Sequence, residues 1–207
     1  NKITGAESEV GHYEFTTLDV IPGVLNYENV NIQIFDVPGL VEGAARGKGR
    51  GKEVLSAVSV ADLIIIMVDA TKPEQLEKIK NELYEARIRL NDKRPDVKIV
   101  KKATGGINIS SVKLTKLDKQ TIIDVLREFK YNNADVVIRT DIDIDQLIDV
   151  IEANRRYIPC LVILNKIDLV KKEKLEELKK KLKPKKRRKK TKIKKKFLNI
   201  KKKITIY

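Results

Sequence analysis

The sequence predicts an α/β fold: a mostly parallel, doubly wound sheet with helices on both faces and an α+β subdomain inserted into it. Three observations carry this. Short apolar runs that suit strands alternate with amphipathic runs at helical spacing. Two polar loops, Asp36-Val37-Pro38-Gly39 and Asn165-Lys166-Ile167-Asp168, each close such an apolar run, and an open parallel sheet carries its ligands at those strand ends. About ninety residues separate the run ending at Asp69 from the one starting at Cys160, where a single helical crossover needs about thirty.

Taken in order, residues 16–20 read as a loop entering a strand. Residues 24–27 and 30–35 flank the turn pair Glu28-Asn29 and predict two short strands, with Val30, Ile32 and Ile34 alternating toward the core. Residues 40–52 are glycine-rich, with Arg46, Lys48 and Arg50 among the glycines, which predicts a mobile loop. Residues 53–61 predict a helix, and 63–69 a strand buried on both faces. Residues 73–90 predict one long helix: Pro73 suits its first turn, and Leu76, Ile79, Leu83, Ala86 and Leu90 recur at helical spacing. The predicted insertion is 91–139, with a strand at 112–114, an amphipathic helix at 118–129 and a strand at 135–139; a structureless loop of that length is rare. A helix at 144–153 and a strand at 160–164 complete the pattern. The domain plan is 1–170 as the main domain, 91–139 inserted in it, and 171–207 as a Lys-rich, disordered tail that starts with helical character.

The formal net charge of +15 over 207 residues is local. Residues 171–207 hold 20 Lys+Arg against 3 acidic residues, whereas 1–170 hold 24 against 26, so the body is near neutral. Such a tail binds any polyanion by counterion release, without DNA or other sequence specificity. A Lys/Ile/Asn-rich run of this kind also reads as out-of-frame translation of an AT-rich gene. The one cysteine, Cys160, excludes an internal disulfide and supplies no metal-ligand set; in an apolar strand it reads as a buried structural thiol. No run of about 18 apolar residues predicts a membrane helix, and a cytoplasmic protein is the default expectation. Asp141, Asp143 and Asp145 alternate as metal ligands can, but they precede a predicted helix whose N-terminus favours acids anyway. His12, the only histidine, reads as a solvated loop residue. Lys98, Lys101 and Lys102 leave an RNA contact and a solvated face both open.

The two loops point to a base and a phosphate. Guanine presents an N1–H and an exocyclic amine on one edge, and a carboxylate accepts from both. Adenine lacks that donor pair, so a site built around a carboxylate rejects it. Asp168 is the candidate carboxylate, with Asn165 on the purine's other edge and the Lys166 stem against the ring. In the other loop Asp36 would hold magnesium through water, and the Gly39 N–H would meet a γ-phosphate. The phosphate-cradling pattern G-x-x-x-x-G-K-[ST] does not occur in the 207 residues. Asn1 to Gly5 reads as the end of the helix that follows such a loop, which suggests a fragment that starts just downstream of it.

Three stretches, Gly11-His12-Tyr13-Glu14-Phe15-Thr16-Thr17-Leu18, Asp36-Val37-Pro38-Gly39-Leu40-Val41-Glu42-Gly43-Ala44 and Gly47-Lys48-Gly49-Arg50-Gly51, resemble the Obg-like GTPases, a group with the P-loop NTPase fold of translation-factor type. Arg87-Ile88-Arg89-Leu90-Asn91, residues 101–108 with Gly105-Gly106-Ile107-Asn108, Asn132-Asn133-Ala134-Asp135-Val136 and residues 154–160 narrow the resemblance to the developmentally regulated GTP-binding (DRG) branch of archaea and eukaryotes. It covers about residues 1–170. It implies GTP or GDP as ligand, Mg2+ as cofactor with potassium as an optional second cation, hydrolysis of GTP, association with the ribosome or its RNA, and a small stabilising partner protein. It also implies that Thr17, with Thr16 as the alternative, is the switch I threonine on magnesium, and that residues 36–52, including Asp36, Val37, Pro38 and Gly39, form switch II. Leu40 stands where many GTPases carry a water-orienting Gln, so intrinsic turnover should be slow. The Ser-Ala loop that closes on the base in this family does not occur between Asp168 and Tyr207, and the resemblance leads to the expectation of a C-terminal domain where the Lys-rich run stands. Two function classes follow: a GTP-hydrolysing switch, and a non-hydrolysing RNA- or ribosome-binding module.

Overall fold

The computed structural model describes residues 21–37, 51–182 and 205–206. The chain divides into two compact units, one of Asn1–Leu90 with Ile158–Tyr207 and one of Asn91–Tyr157.

The first unit opens with a hairpin, β1 (Ile21–Tyr27) antiparallel to β2 (Val30–Asp36), in register from Tyr27 opposite Val30 to Ile21 opposite Asp36. Glu28 (φ 45°) and Asn29 (φ 64°) both lie in the left-handed region, the geometry of a tight primed turn matched to strand twist. Helix α1 (Gly51–Ser59), strand β3 (Ile64–Asp69), helix α2 (Gln75–Glu85) and strand β4 (Ile88–Leu90) follow. The single helix expected over 73–90 is therefore two elements. The helix ends at Ala86, Arg87 turns left-handed (φ 67°), and Ile88 enters the core in a short strand. Apolar residues at 83, 86 and 90 satisfy a helical period as well as a helix followed by a strand, and tertiary burial decides between them.

The second unit is a three-stranded sheet covered by two helices. Strands β5 (Val97–Lys101) and β6 (Ile107–Ser111) flank β7 (Ala134–Ile138), β5 antiparallel and β6 parallel to it. Helices α3 (Lys119–Glu128) and α4 (Ile144–Glu152) supply Ile122, Leu126 and Leu147 to a core shared with Ala134, Val136, Ile138 and Ile142. Asp118 caps α3 by accepting from the Thr121 N–H, and Asp143 forms a reciprocal capping box with Gln146. Asp141 accepts from the Thr115 N–H and hydroxyl. The alternating aspartates thus serve turns and caps, and among the described residues no group of three or more His, Cys, Asp or Glu could hold a metal. The unit runs past the expected boundary at 139 because Ile142 and Leu147 belong to its core. Strand β5 was not foreseen, and the strand expected at 112–114 lies earlier, at Ile107–Ser111. Past α4, Ala153 is left-handed (φ 53°) and Arg155 returns to the buried Asp149 at 2.7 Å.

The chain re-enters the first unit through β8 (Arg156–Ile158) and β9 (Cys160–Asn165). Strand β9 pairs in parallel with β3, from Ile64 opposite Cys160 to Asp69 opposite Asn165. Ile66, Val68, Cys160 and Leu164 join Val54, Val58, Leu76, Leu83, Ile88 and Ile158 in one core. Burial of each such aliphatic side chain is worth about 1.5–3 kcal/mol. Strand β3 is not buried on both faces as its continuous apolar run suggested: Ile65 is 39% and Met67 57% exposed. Burial raises the Cys160 thiol to about 11, which keeps it protonated and inert. Helix α5 (Lys172–Leu182) buries Leu178 against the core, and β10 (Thr205–Ile206) pairs antiparallel with Ile163 and Leu164 of β9. Helix α5 is the helical start expected of the Lys-rich tail, whereas β10 is an ordered element where disorder was expected; residues 183–204 and 207 lie outside the described residues.

Candidate functional site

The loop after β9 is built for exposure of its acid. Asn165 ends the strand, and its carbonyl accepts from the Ala70 N–H at 2.9 Å, locking the loop to the end of β3. Lys166 then turns left-handed (φ 55°), a conformation that costs a residue with a Cβ about 1–2 kcal/mol. Two bonds offset it: the Lys166 N–H donates to Asn165 Oδ1 at 2.9 Å, and the Lys166 ammonium meets Asp69 Oδ2 at 2.9 Å. The reversal starts a single 3-10 turn, Ile167–Leu169, with the Leu169 N–H donating to the Lys166 carbonyl at 3.1 Å. Ile167 points into the core while Asp168 stays exposed. No hydrogen bond or ion pair among the described residues engages the Asp168 carboxylate. The Asn165 amide lies 3.8 Å from the Met67 sulfur. An open cleft of about 550 Å³ lies beside this loop, lined by Thr71, Leu169, Val170, Lys171, Glu173, Lys174 and Glu177.

Asp69 is the residue that sequence reasoning missed. Its Oδ1 accepts from the Thr71 N–H at 2.8 Å and the Thr71 hydroxyl at 2.6 Å, and its Oδ2 takes the Lys166 ammonium. The Thr71 hydroxyl, then Lys166, hold the carboxyl down at about 2. The available signal was an acid at the carboxyl end of a buried strand, followed two residues later by Thr.

The structure brings Asn165, Lys166 and Asp168 together at one strand end. Asp36 ends β2 and is exposed, and Val37 packs on the core of the same unit. Among the described residues β1–β2 forms its own ribbon, without hydrogen bonds to the β3–β9 sheet. Pro38, Gly39 and Leu40, and the switch I candidates Thr16 and Thr17, lie outside the described residues.

Comparison with known proteins gives the family. A family profile described as "50S ribosome-binding GTPase" matches residues 1–102, and one described as the C-terminal region of that domain matches residues 104–204. A GTP-binding protein of Methanocaldococcus jannaschii is 53% identical over 181 residues, covering 87% of this chain and 46% of that protein. The developmentally-regulated GTP-binding protein 1 homolog of Dictyostelium discoideum is 48% identical, covering 86% of this chain and 50% of its own length. Human developmentally-regulated GTP-binding protein 2 is 45% identical, over 86% and 50%. The chain belongs to the developmentally regulated GTP-binding protein family. As a DRG protein it has the P-loop NTPase type of α/β fold, and it spans about half the length of the relatives it matches. The second profile extends across the Lys-rich run to residue 204.

Proposed function

We propose that this DRG chain carries the guanine-recognition half of a GTP-hydrolysing switch. The observation that carries the reading is the Asp168 carboxylate, exposed and, among the described residues, unengaged at the carboxyl end of β9 on a strained loop pinned from both sides. A carboxylate held there is free to accept from the N1–H and amine of guanine. Asn165 and the Lys166 stem would bind the rest of the purine. Asp36, with Thr17 or Thr16, would hold Mg2+ on the phosphates, and Val37, Pro38 and Gly39 would follow the γ-phosphate as switch II, with potassium as a further cation. With Leu40 in the position after Gly39, hydrolysis would be slow unless another group orients the water. The description of the matching profile supports a ribosomal partner. The expected setting is the cytoplasm; within the described residues no helix is long and apolar enough to cross a membrane.

The test joins an N-terminal segment that carries a G-x-x-x-x-G-K-[ST] loop ahead of Asn1. Titration with Mg2+ present should show GTP bound at least about a hundredfold more tightly than ATP, since a site aimed at hydrogen-bond donors rejects ligands lacking them. Equal affinities would remove Asp168 from the base site and favour the non-hydrolysing RNA- or ribosome-binding module.

A further inference from the structure

We propose that Asp69, at the end of β3, is a positioning residue for the purine: its carboxylate anchors the Lys166 ammonium and thereby sets the direction of the Lys166 stem on which the base lies. The inference rests on the base-site reading above and adds to it a residue from a different strand.

The geometry has three parts. Asp69 is the register partner of Asn165 in the parallel ladder, so the acid and the loop are fixed by the same backbone hydrogen bonds. The carboxylate itself is preset, because Oδ1 is taken by both Thr71 donors, which leaves Oδ2 aimed at Lys166. The lysine side chain is 56% exposed while that of Asp69 is 21% exposed: the stem lies open to a ligand and only its tip is tied. Two freely moving surface side chains gain little from pairing, since both must be ordered. Here one partner is already rigid and stays ionised at any ordinary pH. A purine arriving on the stem then meets a side chain whose ordering has largely been done, which favours binding.

The experiment uses the extended chain of the preceding test and measures GDP affinity for wild type, Asp69→Asn, Lys166→Met and the double variant, with urea midpoints for each. Lys166→Met keeps an aliphatic stem and removes the tether. Asp69→Asn should weaken GDP by about three- to tenfold, the range for ordering one long side chain, and IDP, which lacks the exocyclic amine, by the same factor, because the stem meets the ring and not the Asp168 edge. In the Lys166→Met background the same Asp69 substitution should have no further effect. Additive losses in the double variant, or a GDP affinity unchanged by Asp69→Asn while GTP is still preferred to ATP, would overturn the positioning role and leave the base site standing. Loss of the preference for GTP in the wild type would overturn both.

Discussion

Replacing Asp168 by Asn should exchange guanine for xanthine as the preferred base. Xanthine carries a carbonyl where guanine has its amine, so an amide that donates to the carbonyl and accepts from N1–H fits xanthine, whereas a carboxylate fits guanine. The structure makes the substitution clean. Asp168 is exposed and bonded to nothing else among the described residues, so Asn costs the fold nothing, and the Lys166–Asp69 and Lys166–Asn165 contacts stay in place. Two hydrogen bonds to a charged acceptor are worth about 1.5–3 kcal/mol each. On an exposed loop where water competes the low end applies, so the loss is about 3 kcal/mol, or roughly a hundredfold in affinity. Calorimetric titration of the extended chain with GDP and XDP should show GDP weakened by about that factor and XDP strengthened to match. The same GDP affinity for both forms would refute the assignment of Asp168.

Three further outcomes follow from other features. The 207 residues alone, which contain no G-x-x-x-x-G-K-[ST] loop, should bind GTP no tighter than about millimolar, because a few hydrogen bonds to the base do not offset the roughly 4–15 kcal/mol cost of association. Any residual affinity should ignore the base and fade with salt, and micromolar, guanine-selective binding to this chain would contradict that. Arg155→Met strips the guanidinium from the buried Asp149, which it meets at 2.7 Å, and should lower stability by about 3–5 kcal/mol in urea titrations; Arg139→Met, which opens only the exposed pair with Asp96, should cost under about 1 kcal/mol. Acid should weaken the first unit through Asp69: with its folded value depressed to about 2, its contribution is complete above the unfolded carboxylate range near 4 and is lost as pH falls through 2. The full shift corresponds to about 2.4 kcal/mol, which solvent screening reduces to about 1 kcal/mol. Asp69→Asn should erase that acid-dependent portion of the urea midpoint, and an unchanged slope between pH 4 and 2 would contradict it.

Much of the fold was legible because its signals are local. Glu28-Asn29 marks a turn whatever surrounds it, and Asp118 and Asp143 announce helix starts by side-chain chemistry alone. The Cys160–Asn165 strand is a continuous apolar run ending in a polar loop, and Ile64–Asp69 is a second such run that the α/β plan puts in the same sheet. What could not be read depended on tertiary context. Arg87 breaks a pattern that a helix would satisfy through Leu90, and β5 alternates lysines with aliphatics, as an edge strand or an exposed helix can. In the site, Asn165, Lys166 and Asp168 were legible because their spacing is their chemistry. Asp69 was not, since nothing in the chain shows that residues 69 and 166 meet until the register of two strands is known.

The insertion has a kinetic consequence. Strands β3 and β9 pair across the whole intervening segment, so Asp69 reaches Asn165 only after some ninety residues of chain have been brought back on themselves. A second unit with its own core and capped helices can collapse by itself beforehand, leaving only the 23 residues 70–90 and 158–159 as free chain to close. On the logarithmic dependence of closure entropy on length, that lowers the cost of pairing by about 1 kcal/mol. Assembly is therefore expected to be ordered, with the inserted unit protected from hydrogen exchange earlier in refolding than the β3–β9 ladder that positions the base loop.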